Sequence, residues 1–299
     1  LKEWNPNLVI VFGGYHATIN GEKILRHYPF VDYVIRGEGE YTFTRLVKLL
    51  EKNKSEEIKN IPGIIYREHG YVKEGPQYVQ IRNLDELPFP NRKYIKNNEY
   101  GYISNANIPK FTSILTSRGC PYRCTYCACA AFHNRTWRSR TPENIVDEFE
   151  EIAADGYENV LVIDDNFTLI PKRVIKIMKL LKKRKVEINW IAEGRVDKAS
   201  VKMLREMAKG GCKIIYYGVE SANQRILDYY EKGTTPLQAI KAVENARKAG
   251  IDLITATFIV GAPSETVQEI WNTLNFASKL DIDFPQFNIL AAVPGSTLY

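Results

Sequence analysis

"TSILTSRGCPYRCTYC" (Thr112–Cys127) decides the fold. Its first half is apolar and β-branched, the pattern of a short buried strand. Its second half is a loop in which Cys120, Cys124 and Cys127 stand within eight residues, beside Gly119 and Pro121. The strand thus delivers three sulfurs at its C-terminal end. Downstream, five more strand-like runs recur: "NVLVIDD" (159–165), "EINWIAEG" (187–194), "CKIIYYGVE" (212–220), "LITATFIVGAP" (253–263) and "FPQFNILAAV" (284–293). Amphipathic helical stretches separate them, at 142–154, 171–183, 198–209, 223–230 with 236–249, and 265–279. "TPEN" puts Thr141 at a helix N-cap with Pro142 at the first helical position. Strand–helix alternation of this kind gives a parallel sheet, here a partial (β/α)6 TIM-like barrel over residues 111–299. Such barrels carry their chemistry at the C-terminal strand ends, where the cysteines fall.

Upstream the pattern is different. "NLVIVFGG" (7–14) reads as a buried strand ending in a Gly-Gly turn, and "VDYVIRGEGE" (31–40) as a second strand. "GEKILRHYP" and "YTFTRLVKLLEK" read as helices. Two strands are too few for a closed domain, so residues 1–55 read as the C-terminal half of a truncated Rossmann-like domain. The opening at Leu1 rather than Met, and the close on "PGSTLY", read as cut ends. Residues 56–110 read as a linker: a β-hairpin around "EHG" (68–70), then "LDELPFPNRKYI" (84–95), whose two prolines forbid regular structure.

Composition is that of a globular protein: 299 residues, 44% hydrophobic and 25% charged. No run of eighteen apolar residues exists to span a membrane. A net charge of +6 is small for this length. "KKRK" (182–185) closes a helical stretch, where cations suit the dipole, and reads as a solvated helix end rather than a nucleic-acid surface.

Of the five cysteines, four lie within ten residues, unlike a disulfide framework, which spreads cysteines to close loops. A reduced, cytoplasmic setting and a metal site fit better. Thiolates select zinc or iron–sulfur clusters. A structural zinc site takes four ligands, commonly two separated pairs. Here the spacing is Cys-x3-Cys-x2-Cys with no second pair. A cubane cluster accepts three cysteines from one loop and leaves one iron open. Zinc with Cys129 or His133, and a redox dithiol, stay open as alternatives; otherwise Cys129 and His133 read as loop residues. Cys212, at the start of a buried strand, reads as core.

These motifs resemble those of radical S-adenosylmethionine enzymes, in particular the cobalamin-binding-domain subgroup, along essentially the whole chain. The family's CxxxCxΦC loop, with Φ aromatic, is matched by Cys120, Cys124, Tyr126 and Cys127. The resemblance implies a 4Fe–4S cluster on the three cysteines, with S-adenosylmethionine chelated at the open iron and Tyr126 near its adenine. "VIDDNFT" resembles the second-strand end, which implies backbone contacts near Asp165 and Asn166. "EGRVD" resembles the third-strand end, with Glu193 on the methionine ammonium and Arg195 either on the cofactor or paired with Glu193. "GVESANQRILDYYEKGTT" implies ribose contacts from Glu220 and Ser221 and a carboxylate contact from Lys232. "FIVGAPSET" implies backbone along the adenine from Ile259 to Ala262, including Gly261. Gly13 and Gly14 match the Gly-Gly turn beside the cobalamin tail, while His16 reads as a turn residue rather than a cobalt ligand.

The implied activity is reductive cleavage of S-adenosylmethionine to a 5′-deoxyadenosyl radical that abstracts hydrogen, followed by cobalamin-dependent methyl transfer to an unactivated carbon. The alternative is cobalamin-independent cyclisation, rearrangement or oxidation of a small molecule or lipid. Either needs an electron donor such as ferredoxin or flavodoxin. A metal-stabilised nucleic-acid module is the rival from another class. A methylthiotransferase-like reading lacks the cysteines it needs, since residues 1–110 hold none. Asn166, Arg195, Tyr216, Thr257 and Asn288 are the strand-end residues expected around a substrate, and they name no molecule.

Overall fold

The computed structural model describes residues 1–95, 102–103, 106–107 and 109–299; the remainder of the expected linker, at 96–101, 104–105 and 108, lies outside the described residues. Two compact units emerge. One comprises 1–82, 126–135 and 292–299, the other 83–125 and 136–291.

The first unit is built on a four-stranded sheet in the order β1 (Val11–Phe12), β2 (Tyr33–Ile35), β3 (Ile64–Glu68), β4 (Tyr71–Glu74). The β1–β2 pair is parallel, and the other two pairs are antiparallel. Helices α1 (Gly14–His27) and α2 (Gly39–Glu51) supply two small cores, one around Leu25, Val31 and Val34, the other around Leu46, Ile58 and Ile61. The hairpin assigned to a linker by sequence is half of this sheet. Its turn places His69 (φ 50°) and Gly70 (φ 82°) in the left-handed region that matches the twist of the flanking strands. The strand expected at 7–14 contracts to Val11–Phe12, an edge strand paired on one side. Helix α1 begins at Gly14, so His16 is helical rather than in a turn. The Thr18 hydroxyl fixes this start, donating to the Gly14 carbonyl (2.7 Å) and accepting from the Gly37 amide (2.9 Å). Cys129 and His133, expected in a loop, bound a short buried helix, Cys129–His133. Tyr15 stacks on Phe132 (4.1 Å between ring centroids), and its hydroxyl lies 3.0 Å from His133 Nε2.

The second unit is the barrel. Strands β5 (Phe111–Ile114), β6 (Asn159–Val162), β7 (Asn189–Arg195), β8 (Cys212–Glu220), β9 (Leu253–Val260) and β10 (Phe284–Ile289) lie side by side in chain order, all parallel. Helices α3 (Pro142–Ala154), α4 (Pro171–Arg184), α5 (Val201–Lys209), α6 (Gln224–Tyr229), α7 (Pro236–Ala249) and α8 (Val267–Lys279) follow the strands in turn. One core joins sheet and helices through Val160, Trp190, Ile215 and Phe258 with Phe149, Ile177, Met203 and Val243. Each such large side chain contributes about 1.5–3 kcal/mol of burial.

Local chemistry sets the helix ends. Thr141 and Pro142 start α3 as the sequence predicts, with the Thr141 hydroxyl accepting from the Asn144 amide. Helix α8 starts two residues later than predicted. Thr266 and Glu269 form a reciprocal capping box there, and Glu265 turns back to accept from the Gly261 and Ala262 amides. Among the described residues, no helix is long and apolar enough to cross a membrane.

Candidate active site

Parallel register decides which side chains meet. Arg195, Gly218, Thr257 and Gln286 are aligned partners across β7–β10, and Glu193 is the partner of Tyr216 one row below. All six line a cavity of about 310 Å³, together with Asp165, Asn166, Gly194, Tyr217, Glu220 and Lys232. Of the expected strand-end set, Asn166, Arg195, Tyr216 and Thr257 are there. Asn288 is not, because it pairs with Ile259 one row beyond. Gln286 takes the position on β10. Gly218 and Gln286 were legible only through register, which a sequence without aligned strands does not show.

Glu220 lines the cavity at an irregularity in β8. The β8–β9 register shifts between Gly218 and Glu220, and Glu220 has φ 68°, a left-handed conformation costly for a residue with a Cβ. Its carboxylate accepts from Lys232 Nζ at 2.7 Å, with both side chains buried. A Cβ on Gly218 would lie 2.6 Å from Glu220 Oε1 and 2.9 Å from Lys232 Nζ. Glycine therefore leaves room for the ion pair. Lys232, which a sequence reader could take for a plain helix-end cation, is instead part of the cavity wall.

Arg195 does not pair with Glu193. Its Nε donates to Asp197 at 2.8 Å, its Nη2 donates to the Lys232 carbonyl at 2.8 Å, and its guanidinium lies 3.6 Å from the centroid of the Tyr122 ring. Glu193 has no ion-pair partner among the described residues. Solvent reaches it from the cavity, while the surrounding protein raises its carboxyl pKa by desolvation, Asp165 and Glu220 add to the rise, and Lys232 opposes it. With Lys232 and Arg195 already engaged, the carboxylates leave the cavity suited to a cation.

The entry to the cysteine loop is held by the end of β6. Asp164, fully enclosed, accepts from the Thr116 amide (2.6 Å) and hydroxyl (2.5 Å) and from the Ser117 amide (3.0 Å) and hydroxyl (2.5 Å). Burial pushes its carboxyl upward, against Arg173 and these donors. Asp165 accepts from the Gly119 amide at 2.7 Å. Further along, Thr125 donates its amide to the Tyr230 carbonyl at 2.9 Å. Asp164 thus fixes the start of this loop.

Not every expected residue meets the cavity. Ser221 is fully buried in a network with Asn223 and Thr273. Ile259 and Gly261 lie past the cavity row, and the Gly261 amide is taken by Glu265. Tyr126 and Cys127 are half-buried and belong to the first unit, as do the exposed Gly13 and Gly14.

The donor set fits an iron–sulfur cluster. Cys120, Cys124 and Cys127 are free of disulfides and partly exposed. Desolvation raises the Cys120 thiol pKa, while the Tyr122 amide, Asn166 and Arg195 draw it down and Cys124 adds to the rise. Those donors and the cation suit a metal-bound thiolate. Gly13 fits a bound group as well. Its backbone is extended (φ −147°, ψ −174°), and among the described residues an added Cβ would meet only the Ile35 carbonyl, at 4.0 Å. Nothing among the described residues requires glycine there. Gly14, with φ 89°, is required by its backbone alone.

Known proteins agree with this architecture. The chain is 38% identical to an uncharacterized methyltransferase of Pyrococcus horikoshii, over 100% of this chain and 64% of that protein. It is 30% identical to the anaerobic magnesium-protoporphyrin IX monomethyl ester cyclase of Rubrivivax gelatinosus, over 100% of this chain and 54% of that one. The chain thus spans between about half and two thirds of these relatives. Among solved structures, the radical S-adenosylmethionine methyltransferase TsrM of Kitasatospora setae, with cobalamin and a 4Fe–4S cluster bound, gives a TM-score of 0.79 at 20% identity, over 98% of this chain and 57% of that one. The cobalamin-dependent S-adenosylmethionine radical enzyme OxsB gives 0.76 at 24%, over 97% and 42%. A family model described as the radical SAM superfamily matches residues 114–277, more than half of the chain and beginning on the strand that delivers the cysteines, and the chain belongs to that superfamily.

Proposed function

We propose that this chain is the catalytic part of a radical S-adenosylmethionine methyltransferase that uses cobalamin. The observation that carries the reading is the cavity at the C-terminal strand ends, where Glu193, the Glu220–Lys232 pair and Asn166 stand together, with Asn166 against Cys120. A reduced 4Fe–4S cluster on Cys120, Cys124 and Cys127 would supply the electron that cleaves S-adenosylmethionine, and cobalamin the methyl group. Within this reading Glu193 binds the ammonium, Lys232 the carboxylate and Glu220 the ribose. Ser221 supports the turn after Glu220 through Asn223 rather than touching ligand. Ile259 and Gly261 offer backbone above the cavity row, and Asp165 holds Gly119 in place. Arg195 grips the cysteine loop at Tyr122. Tyr126 accompanies Cys127 beside the adenine. Residues 1–55, with the hairpin 64–74 that completes their sheet, are the C-terminal half of a cobalamin-binding-type domain, 83–110 a connection and 111–299 the radical barrel. A low-potential one-electron donor, such as ferredoxin or flavodoxin, serves the cluster.

One observation favours a second reading. The cyclase of Rubrivivax gelatinosus matches this chain along its whole length. Ring closure without methyl transfer therefore stands as the alternative chemistry on the same site.

Anaerobic reconstitution tests the reading. About four irons per chain and dithionite-dependent release of 5′-deoxyadenosine are expected. Zinc in place of iron, or iron without cleavage, would overturn it. A methylated product distinguishes methyl transfer from ring closure.

A further inference from the structure

We propose that Asn166 sets the reduction potential of the cluster by donating its side-chain amide to the sulfur of Cys120. The proposal rests on the radical reading above and goes beyond it. Asn166 Nδ2 lies 3.8 Å from Cys120 Sγ, within the reach of an N–H···S bond. Asn166 is only 2% exposed, and its Oδ1 is buried without a hydrogen-bond partner among the described residues. An amide that meets sulfur with its donor and leaves its oxygen unmatched is poorly used beside a neutral thiol. Beside a metal-bound thiolate the arrangement makes sense, because the bond becomes charge-assisted and the opposite orientation would set oxygen against negative sulfur.

The amide is held in place from both sides. Asp165 is tied to Gly119, immediately before Cys120. Asn166 itself precedes the short helical turn Phe167–Leu169, where the Thr168 hydroxyl accepts from the Arg195 amide at 3.2 Å. The donor thus sits at the head of the turn that follows β6 rather than on the cysteine loop. A hydrogen bond to a cysteine sulfur withdraws electron density from the iron and stabilises the reduced, more negative cluster, which raises its potential. The step concerned is uptake of one electron from dithionite by the oxidised cluster, with no proton or bond exchanged.

The test is a redox titration of reconstituted wild-type, Asn166→Leu and Asn166→Ala protein, followed by electron paramagnetic resonance without S-adenosylmethionine. Leucine keeps the volume and removes the donor; alanine serves if leucine does not load. The expected result is full iron content with a lower potential, so that the reduced-to-oxidised ratio at a fixed solution potential falls about tenfold, equivalent to 59 mV for one electron. Asn166→Gln, which keeps an amide donor, should recover part of the shift. Variants that load iron and titrate like wild type would overturn the proposal and leave the radical reading standing. Wild-type protein that takes up no cluster would overturn both.

Discussion

Asp164 shows how much of a radical site is scaffold. It accepts four hydrogen bonds from Thr116 and Ser117, while Arg173 Nη2 donates to the Thr116 carbonyl at 2.7 Å and Thr116 Oγ1 at 2.6 Å. These residues connect β5 to the cysteines, so the loop's starting direction depends on a carboxylate remote in sequence. Asp164→Ala would leave two buried amides without acceptors and remove the carboxylate that faces Arg173. Destabilisation of about 2–4 kcal/mol is expected in denaturant unfolding, with weaker iron retention. A change below about 0.5 kcal/mol would show that water replaces the carboxylate and that the loop does not depend on it. The sequence made Asp164 visible as an acid at a strand end. It could not show which partner the carboxylate would choose, because Thr116 and Ser117 lie 48 and 47 residues away.

At the scale of elements, β8 carries the most consequential irregularity. A regular strand would alternate side chains, and Gly218 and Glu220 would face the same way as Tyr216. The register shift after Gly218, with Glu220 at φ 68°, re-aims the carboxylate toward Lys232. Gly218→Ala tests this arrangement, since its new methyl would sit within 3 Å of both charged groups, which are the ends of flexible side chains. Thermal stability should change little, while affinity for S-adenosylmethionine, measured by calorimetry, should fall about tenfold, or 1.4 kcal/mol. Unchanged affinity would remove the Glu220–Lys232 pair from the binding site. Elements with strong local signals were legible in sequence: α3 and α7 have the bounds their Thr-Pro starts predict, and β8 runs from Cys212 to Glu220 as read. Elements that depend on partners were not. The strand at β1 shrank because it sits on an edge, and the hairpin of β3 and β4 joined a sheet that its own sequence does not specify.

At the scale of the whole molecule, the chemistry proposed for the barrel depends on whether the first unit holds cobalamin. The Gly13–Gly14 pair was read in sequence as one feature, and the structure separates its members. Gly14→Val would strain a backbone at φ 89°, so loss of cobalamin in that variant would not distinguish misfolding from lost contact. Gly13→Val is the cleaner experiment. Extended backbone accepts a β-branched residue, and its Cβ meets nothing among the described residues closer than 4.0 Å. If the cobalamin tail passes against this backbone, Gly13→Val should remove the corrin absorbance of the full-length protein purified with excess cobalamin, with iron content and unfolding midpoint unchanged. Corrin absorbance equal to wild type would place the tail elsewhere. No corrin in the full-length wild-type protein would end the methyl-transfer reading and favour ring closure, which asks nothing of Gly13.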